Sequence, residues 1–329
     1  MKRRTALKLV AAPAILGLVR PAGAQGKEKI TFAHLLDPAM DAAVWAITAG
    51  KVKSDLITIE PRGLVIPALI QATATKQFDV IMTAVIGIPP AIARGLELRM
   101  LSAVLQTAPG GEGGGVWVKK DSPIKDPREL KGKTLGSYGL RSTGYLYVRA
   151  ALAKRYGLDV KLEGGDIKQV EIQAPNLPGA LGAAQIDAGT LIHSQAFRAA
   201  ESGEFRNIAE TGAILNELYG PLVSAVNIGF PERLKAKPDA YKEFGRMFKE
   251  SLAYLHANRT EVFEAVGKQA NVSPKFFEWW YDRTTTVPAI MGPQQAAAVT
   301  KGWEIGKEFG MIPTVPDVQP LIWENAPTS

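Results

Sequence analysis

The stretch "PALIQATATKQFDVIMTAV" (67–85), continued by "PPAIARGLELRMLSAV" (89–104), has an echo much later in the chain. The echo is "PGALGAAQIDAGTLI" (178–192), continued by "QAFRAAESGEFRNIAETG" (195–212). Each copy reads as helix, Gln-x-Asp, strand, short helix, Gly, Arg, strand. Asp79 to Arg99 spans 20 residues and Asp187 to Arg206 spans 19. A repeated order at nearly constant spacing points to two lobes of similar topology, and 329 residues are enough to give each lobe its own core.

The other segments fit that frame. "KITFAHL" (29–35) predicts a strand, "DAAVWAITAG" (41–50) a helix closed by Gly50, and "DLITIEPRG" (55–63) a strand. "VIPALIQATATKQ" (65–77) predicts a helix and "FDVIMTAV" (78–85) a strand. This alternation predicts an α/β fold, two lobes with mixed, largely parallel sheets. Glycines at 110, 111, 113, 114 and 115 suit a crossing between lobes, and "YGPLVSAVNIGFP" (219–231) suits a second. Beyond it, residues 239–258, 260–270 and 273–284 read as helices, with Trp279 and Trp280 assigned to the core, like Trp45. The expected organisation is a leader at 1–24, a first lobe from 25–115, a second lobe from 116–222, and a return to the first lobe over 223–329.

The leader assignment rests on charge and hydropathy. Met1–Ala24 holds Lys2, Arg3, Arg4, Lys8 and Arg20 with no acid, an apolar run "LVAAPAILGLV", and "AGA" before Gln25. "RRTALK" resembles a twin-arginine export signal with Ala6 where Phe is preferred; an ordinary secretory signal is the alternative. The apolar run is too short for a mature membrane span. Without the leader, 34 basic groups face 32 acidic ones, so the basic balance gives no reason to expect nucleic acid. The chain has no cysteine, which excludes disulfides, Cys-based metal sites, Cys nucleophiles and a lipidated Cys anchor. The expectation is an exported, periplasmic protein.

The segment "DPRELKGKTLGSYGLRSTGYLYVRAAL" (126–152) holds two adjoining signals. "GKT" at 132–134 imitates the end of a P-loop, but a P-loop runs strand, loop, helix. Here Asp126 and Pro127 open a short helix, Gly132 ends it, and a strand follows, so Lys133 reads as a solvated strand residue. "GLRSTG" instead precedes the helix "GYLYVRAALAKRY", closed by Gly157. Ser142 or Thr143 can cap that helix and leave first-turn N–H groups free. Those groups and the helix dipole favour an anion, by about 0.3–1 kcal/mol for the dipole at an exposed end. The competing reading is a plain cap with Arg141 in solvent.

"KDPRELKGKTLGSYGLRSTGYLYVRAALAKRYGLD" (125–159), "ALGAAQIDAG" (180–189) and "FPERLKAKPDAYKEF" (230–244), in this order, resemble ABC-transporter substrate-binding proteins of the nitrate/sulfonate/taurine class. The resemblance covers nearly all of the mature chain, with loose individual motifs. It implies the type II periplasmic-binding fold, joined by two crossing segments. It also implies closure on a small molecule, delivery to an ABC permease with its cytoplasmic ATPase, no cofactor and no catalysis. Contact with the membrane would come only through the permease, and a monomer is expected. The class takes nitrate, alkanesulfonates, taurine, aromatic acids and pyrimidines; a small anionic organic ligand is expected here.

In that topology ligands sit at the carboxyl ends of strands. The candidate ligand-binding residues are therefore His34, Asp37 and Met40 after the first strand, and Thr83 and Ala84 at the end of "DVIMTAV". Ser137, Tyr138, Arg141, Ser142, Thr143 and Gly144 come from the glycine-rich turn, and His193 and Ser194 follow "IDAGTLI". Tyr219 at the second crossing completes the set. Arg141 is the candidate counter-charge. Each histidine has the competing reading of a satisfied core or surface group. Asp79 and Asp187 hold matched positions that suit a structural turn or cap. Replacing Ser142 and Thr143 together with bulky apolar residues is expected to abolish binding and leave the fold intact.

Enzyme signatures are weak. Position 140 is Leu where a Gly-x-Ser-x-Gly elbow needs Gly, and three scattered histidines make a poor metal set. A pyrimidine-synthesising branch that resembles the same fold would carry a cysteine-rich iron motif, which this chain lacks. The alternative kept is a periplasmic enzyme exported folded, acting on a small molecule in the same cleft.

Overall fold

The computed structural model describes residues 26–111 and 114–329, so the leader reading of residues 1–24 lies outside the described residues. The chain opens with β1 (Glu28–Leu35), α1 (Pro38–Thr48), β2 (Ile57–Leu64), α2 (Ile66–Thr75), β3 (Val80–Ala84), α3 (Ile88–Ala93) and β4 (Arg99–Thr107). It continues with β5 (Gly115–Lys119), β6 (Thr134–Ser137), α4 (Thr143–Tyr156), β7 (Lys168–Glu171), α5 (Leu177–Gly182), β8 (Ala188–Gly189), α6 (His193–Ser202) and β9 (Phe205–Glu210). Then α7 (Thr211–Tyr219) leads to β10 (Val223–Gly229). The rest is mainly helical: α8 (Pro231–Ala236), α9 (Pro238–Ala257), α10 (Arg259–Ala270), α11 (Pro274–Trp279) and α12 (Pro293–Glu308), with a two-residue β11 (Thr285–Thr286). Among the described residues no helix is long and apolar enough to cross a membrane.

Two mixed sheets result, in the orders β11-β4-β10-β3-β1-β2 and β7-β6-β8-β5-β9. In the first, β2, β1 and β3 run parallel and β10 lies antiparallel between β3 and β4. In the second, β7, β6 and β8 run parallel and β5 lies antiparallel between β8 and β9. Each sheet thus has a parallel half and, next to a crossing, an antiparallel strand; in the first sheet the short β11 also pairs antiparallel, with β4. This is the mixed two-sheet α/β architecture the repeat predicts.

The matched aspartates have matched structural jobs. The Asp79 backbone N–H donates to the Thr31 carbonyl at 3.1 Å, and its Oδ2 accepts from the Thr31 N–H at 2.9 Å. The Asp187 N–H donates to the Thr134 carbonyl at 3.0 Å, and its Oδ2 accepts from the Thr134 N–H at 2.8 Å. The two carboxylates therefore extend the pairing of β3 onto β1 and of β8 onto β6. Other local signals act as expected: Asp126 accepts from the Arg128 N–H, Gly132 has φ +73, and Gly157 closes α4 at φ +69.

Helix α4 is buried on two sides. Leu146, Tyr147, Ala150 and Ala151 pack into a core under the first sheet that also holds Ile81, Val226, Val299 and Trp303. Tyr145, Val148 and Leu152 pack into the core of the second sheet with Val116, Leu135 and Ala188. A helix apolar on both faces must be covered on both. Each large side chain so buried contributes about 1.5–3 kcal/mol. Polar contacts follow the same division: Arg149 Nε donates to the Val160 carbonyl at 2.8 Å, while the Tyr147 hydroxyl donates to the Val223 carbonyl at 2.8 Å.

The chain passes from the first sheet to the second between Thr107 and Gly115 and returns between Glu210 and Val223. The two passages touch at Gly111 and Gly212. A Cβ on Gly111 would lie 2.7 Å from the Gly212 carbonyl carbon, and one on Gly212 would overlap the Gly111 carbonyl oxygen. Gly111 also has φ +61, a left-handed backbone that glycine adopts without strain. Nearby, Asn216 Nδ2 donates to the Ala108 carbonyl at 2.9 Å. Gly212→Ala should lower stability by about 1–3 kcal/mol in urea unfolding, the usual cost of overpacking. Gly110→Ala, whose nearest neighbour would be the Arg283 carbonyl oxygen at 3.7 Å, should be close to neutral.

Candidate functional site in the cleft between the sheets

The equivalent ends of β1 and β3 in one sheet, and of β6 and β8 in the other, face a common cleft. Its outer chamber, about 110 Å³, is walled by Leu35, Ile66, Leu69, Ile70, Met82 and Leu105 and closed by Thr83, Ser142, Thr143, Gly144, Ile192 and His193. An inner chamber of about 120 Å³ continues towards the crossings and carries Gln106, Thr107, Thr211, Thr284 and Thr285. The two chambers share Tyr138, Gly144, Ile192, His193, Leu105 and Ser224. The inner chamber, the one nearer the crossings, carries more hydroxyl side chains and the outer one more aliphatic side chains, and the α4 N-terminus lies at their junction.

Ser142 caps α4: its Oγ accepts from the Tyr145 N–H at 3.2 Å and donates to the Gly139 carbonyl at 2.8 Å. The N–H groups of Thr143 and Gly144, which a helix leaves without intrahelical acceptors, border the cleft. The Tyr138 hydroxyl sits beside Ser142 and above Gly144. A Cβ on Gly144 would overlap that hydroxyl and lie 3.4 Å from the ring carbon bearing it. Burial holds the Tyr138 phenol well above its ordinary pKa, so it remains a neutral donor and acceptor.

Seven of the fourteen predicted residues line this cleft: Thr83, Ala84, Tyr138, Ser142, Thr143, Gly144 and His193. The other seven lie elsewhere. His34 is 2% exposed, its Nδ1 is 3.0 Å from the Leu35 carbonyl oxygen, and burial pushes its pKa down. Met40 is fully buried in the core beneath α1, and Ser137 is fully buried with its Oγ accepting from the Gly139 N–H. Ser194 is buried on α6, and Tyr219 ends α7 half-buried against the first-sheet core. Arg141 is exposed and lines neither chamber, so the charge expected of it is not in the cleft.

Asp37 has a different place from the one expected. It caps α1, its Oδ1 accepting from the Ala39 N–H at 2.9 Å, and its Oδ2 lies 3.0 Å from His193 Nδ1 across the cleft. That nitrogen has no hydrogen bond of good direction, so the carboxylate and the ring are in close contact without an aligned bond. His193 stands at φ +49, a left-handed conformation costly for a residue with a Cβ. Its ring meets Trp280 edge-on at 5.7 Å. Asp41, one turn along α1, has its pKa raised to about 6 by burial first and by the charge of Asp37 second.

The apolar wall went unpredicted because Ile66, Leu69 and Ile70 have the spacing of a core-facing helix stripe. The available signal was their position directly after a strand end; Ile70 is 48% exposed, unusual for a core residue. The double replacement of Ser142 and Thr143 is also corrected. Both residues hold the fold: the Thr143 Oγ accepts from the buried Ile86 N–H at 3.2 Å, tying the α4 turn to the turn after β3. Thr143→Val, nearly isosteric, leaves that N–H unpaired and should cost about 1–3 kcal/mol in chemical denaturation, whereas Thr143→Ser should retain most of the stability.

Among the described residues no group of three or more His, Asp or Glu side chains is placed to hold a metal ion. A family model described as NMT1/THI5 like matches residues 67–262. A comparison with curated proteins finds no significant match. The fold is similar to that of the periplasmic aliphatic sulphonate binding protein SsuA from Escherichia coli, at 16% identity over 91% of this chain and 98% of that one, with TM-score 0.70. It is similar to the alkanesulfonate-binding protein SsuA from Xanthomonas axonopodis pv. citri bound to MOPS, at 17% identity, 91% and 98% coverage and TM-score 0.72. It also resembles a cysteine-to-serine mutant of DszB in complex with biphenyl-2-sulfinic acid, at 13% identity, 92% and 97% coverage and TM-score 0.64.

Proposed function

The chain belongs to the NMT1/THI5-like family, and we propose that it is the solute-binding receptor of an ABC importer, acting in the periplasm. The carrying observation is the cleft itself. Its walls come from both sheets, and its apolar and hydroxyl side chains can hold a small molecule. A ligand that touches both lobes favours the closed form, because only differential affinity shifts such an equilibrium. The apolar outer chamber suits a hydrocarbon body, and the free N–H groups of α4 suit a polar or anionic head such as a sulfonate or carboxylate. The structural likeness to sulfonate-binding proteins supports this ligand class. The leader, read as an export signal, supports delivery to a permease from outside the cytoplasm.

The Asp37–His193 pair is the observation that favours an enzyme. A triad needs a nucleophile free to be activated. Ser142 Oγ is committed to capping α4 and Thr143 Oγ accepts from Ile86, so the hydroxyls of that turn serve structure. The receptor reading is therefore preferred.

A thermal-shift screen of alkanesulfonates, arenesulfonates, aromatic carboxylates and neutral pyrimidines tests it. A true ligand at a hundred times its Kd should stabilise by about 2.7 kcal/mol. NMR of the recovered ligand should show it unchanged. Gly144→Ala, which pushes the Tyr138 hydroxyl into the cleft, should abolish the shift while the apo protein still unfolds cooperatively. Steady product formation would establish the enzyme reading instead.

A further inference from the structure

We infer that His193, which stands beside Asp37, supplies the positive charge that an anionic solute meets in this cleft, so that binding takes up a proton. The inference rests on the receptor reading and assigns its recognition chemistry. Among the described residues lining the two chambers there is no lysine or arginine, and His193 is the one side chain there that can become a cation. It borders both chambers at the point where Gly144 and the α4 N-terminus also meet them. An anion bound at that junction is within the field of a helix terminus and next to an imidazole.

The geometry explains why a histidine is there. Its backbone is left-handed at φ +49, its ring borders both chambers, and Trp280 meets the ring edge-on. Asp37 Oδ2 lies 3.0 Å from Nδ1 without an aligned hydrogen bond, so the carboxylate acts on the ring as a nearby negative charge, and an anion bound at the junction adds to it in favouring the cationic ring. The Asp37–His193 contact also reaches from one lobe to the other.

Other charged groups around the ring are accounted for. From α1, Asp41 carries a pKa of about 6, raised by burial and by Asp37, and becomes neutral in acid. This also favours an anion at low pH, so Asp41 must be separated from His193 by mutation. From β1, His34 is buried with its pKa pushed down, and its Nε2 is 4.0 Å from Asp41. From the turn before α4, Tyr138 stays neutral and Arg141 is exposed. Beyond Trp280, Tyr281 donates to the Ala39 carbonyl, Asp282 pairs with Arg259, and Arg283 is exposed. On α6 itself, Arg198 is exposed and donates to the Asn271 carbonyl.

The sign follows from linkage. Protonated His193 favours the anion, so affinity falls as pH rises, by at most about tenfold per pH unit for one proton taken up. The test is calorimetric titration of the full mature chain with propane-1-sulfonate and with benzoate between pH 6 and 8.5, in buffers of different ionisation heat. The expected result is uptake of up to one proton per ligand and the corresponding fall in affinity. His193→Asn, chosen because asparagine tolerates a left-handed backbone, should bind more weakly with a flat pH profile. Asp37→Asn, which keeps a good helix cap, should move the fall to lower pH. Asp41→Asn should retain the slope.

Three results overturn the inference. One is anion binding with no proton uptake in the wild type. The second is uptake that survives in His193→Asn. The third is loss of uptake in Asp41→Asn alone. If the wild type binds neither anion but does bind a neutral pyrimidine, the anionic ligand class fails and this inference fails with it, while the receptor reading stands. If no solute binds at all, the receptor reading itself is lost.

Discussion

Helix α4 has apolar side chains on two opposed faces, and neither face can be left in water. The first-sheet core takes Leu146, Tyr147, Ala150 and Ala151; the second-sheet core takes Tyr145, Val148 and Leu152. This double burial fixes how the two sheets stand to each other. It also decides where the helix begins, because the axis that satisfies both cores brings Ser142, Thr143 and Gly144 to the cleft. The ion pairs of Lys154 with Glu308 and of Arg155 with Glu217 hold its far end. They are exposed and add little, since surface pairs contribute at most about 1 kcal/mol. Apolar contact does most of the holding.

Much of this was legible in residue order because it depends on local chemistry. Asp126 with Pro127, Ser142 and Gly157 each act through backbone groups within a few residues, so their roles as caps and stops could be read directly. Asp79 and Asp187 could be matched because the repeat preserved their spacing, although the strand N–H each one holds depends on pairing no local signal specifies. Side-chain direction was harder. His34 and Met40 follow or end a strand as expected, but the pleat and the turn of α1 point them into the core. Arg141 occupies the right turn and faces outward. Asp37 and His193 were both named for the cleft, but the contact between them joins residues of different lobes and is a tertiary fact.

The two chambers differ in what they ask of a guest. The outer one removes hydrocarbon from water, a force proportional to buried area and tolerant of shape. The inner one presents Thr107, Thr211, Thr284 and Thr285, whose hydroxyls can donate or accept but carry no charge. Selectivity therefore concentrates at the junction, where Tyr138, Gly144 and His193 meet. The carboxylates of Asp37 and Asp41 lie close behind that junction and oppose any anion that His193 does not compensate. An environment of this kind separates ligands by charge more sharply than by size.

The contact of Gly111 with Gly212 gives the molecule an axle. Bare backbone touches bare backbone there, and beside the contact the Asn216 amide bridges the two passages by donating to the Ala108 carbonyl. In the ligand-driven closure proposed above, a turn about this contact would leave atoms near it nearly still and move the cleft walls, farther out, the most.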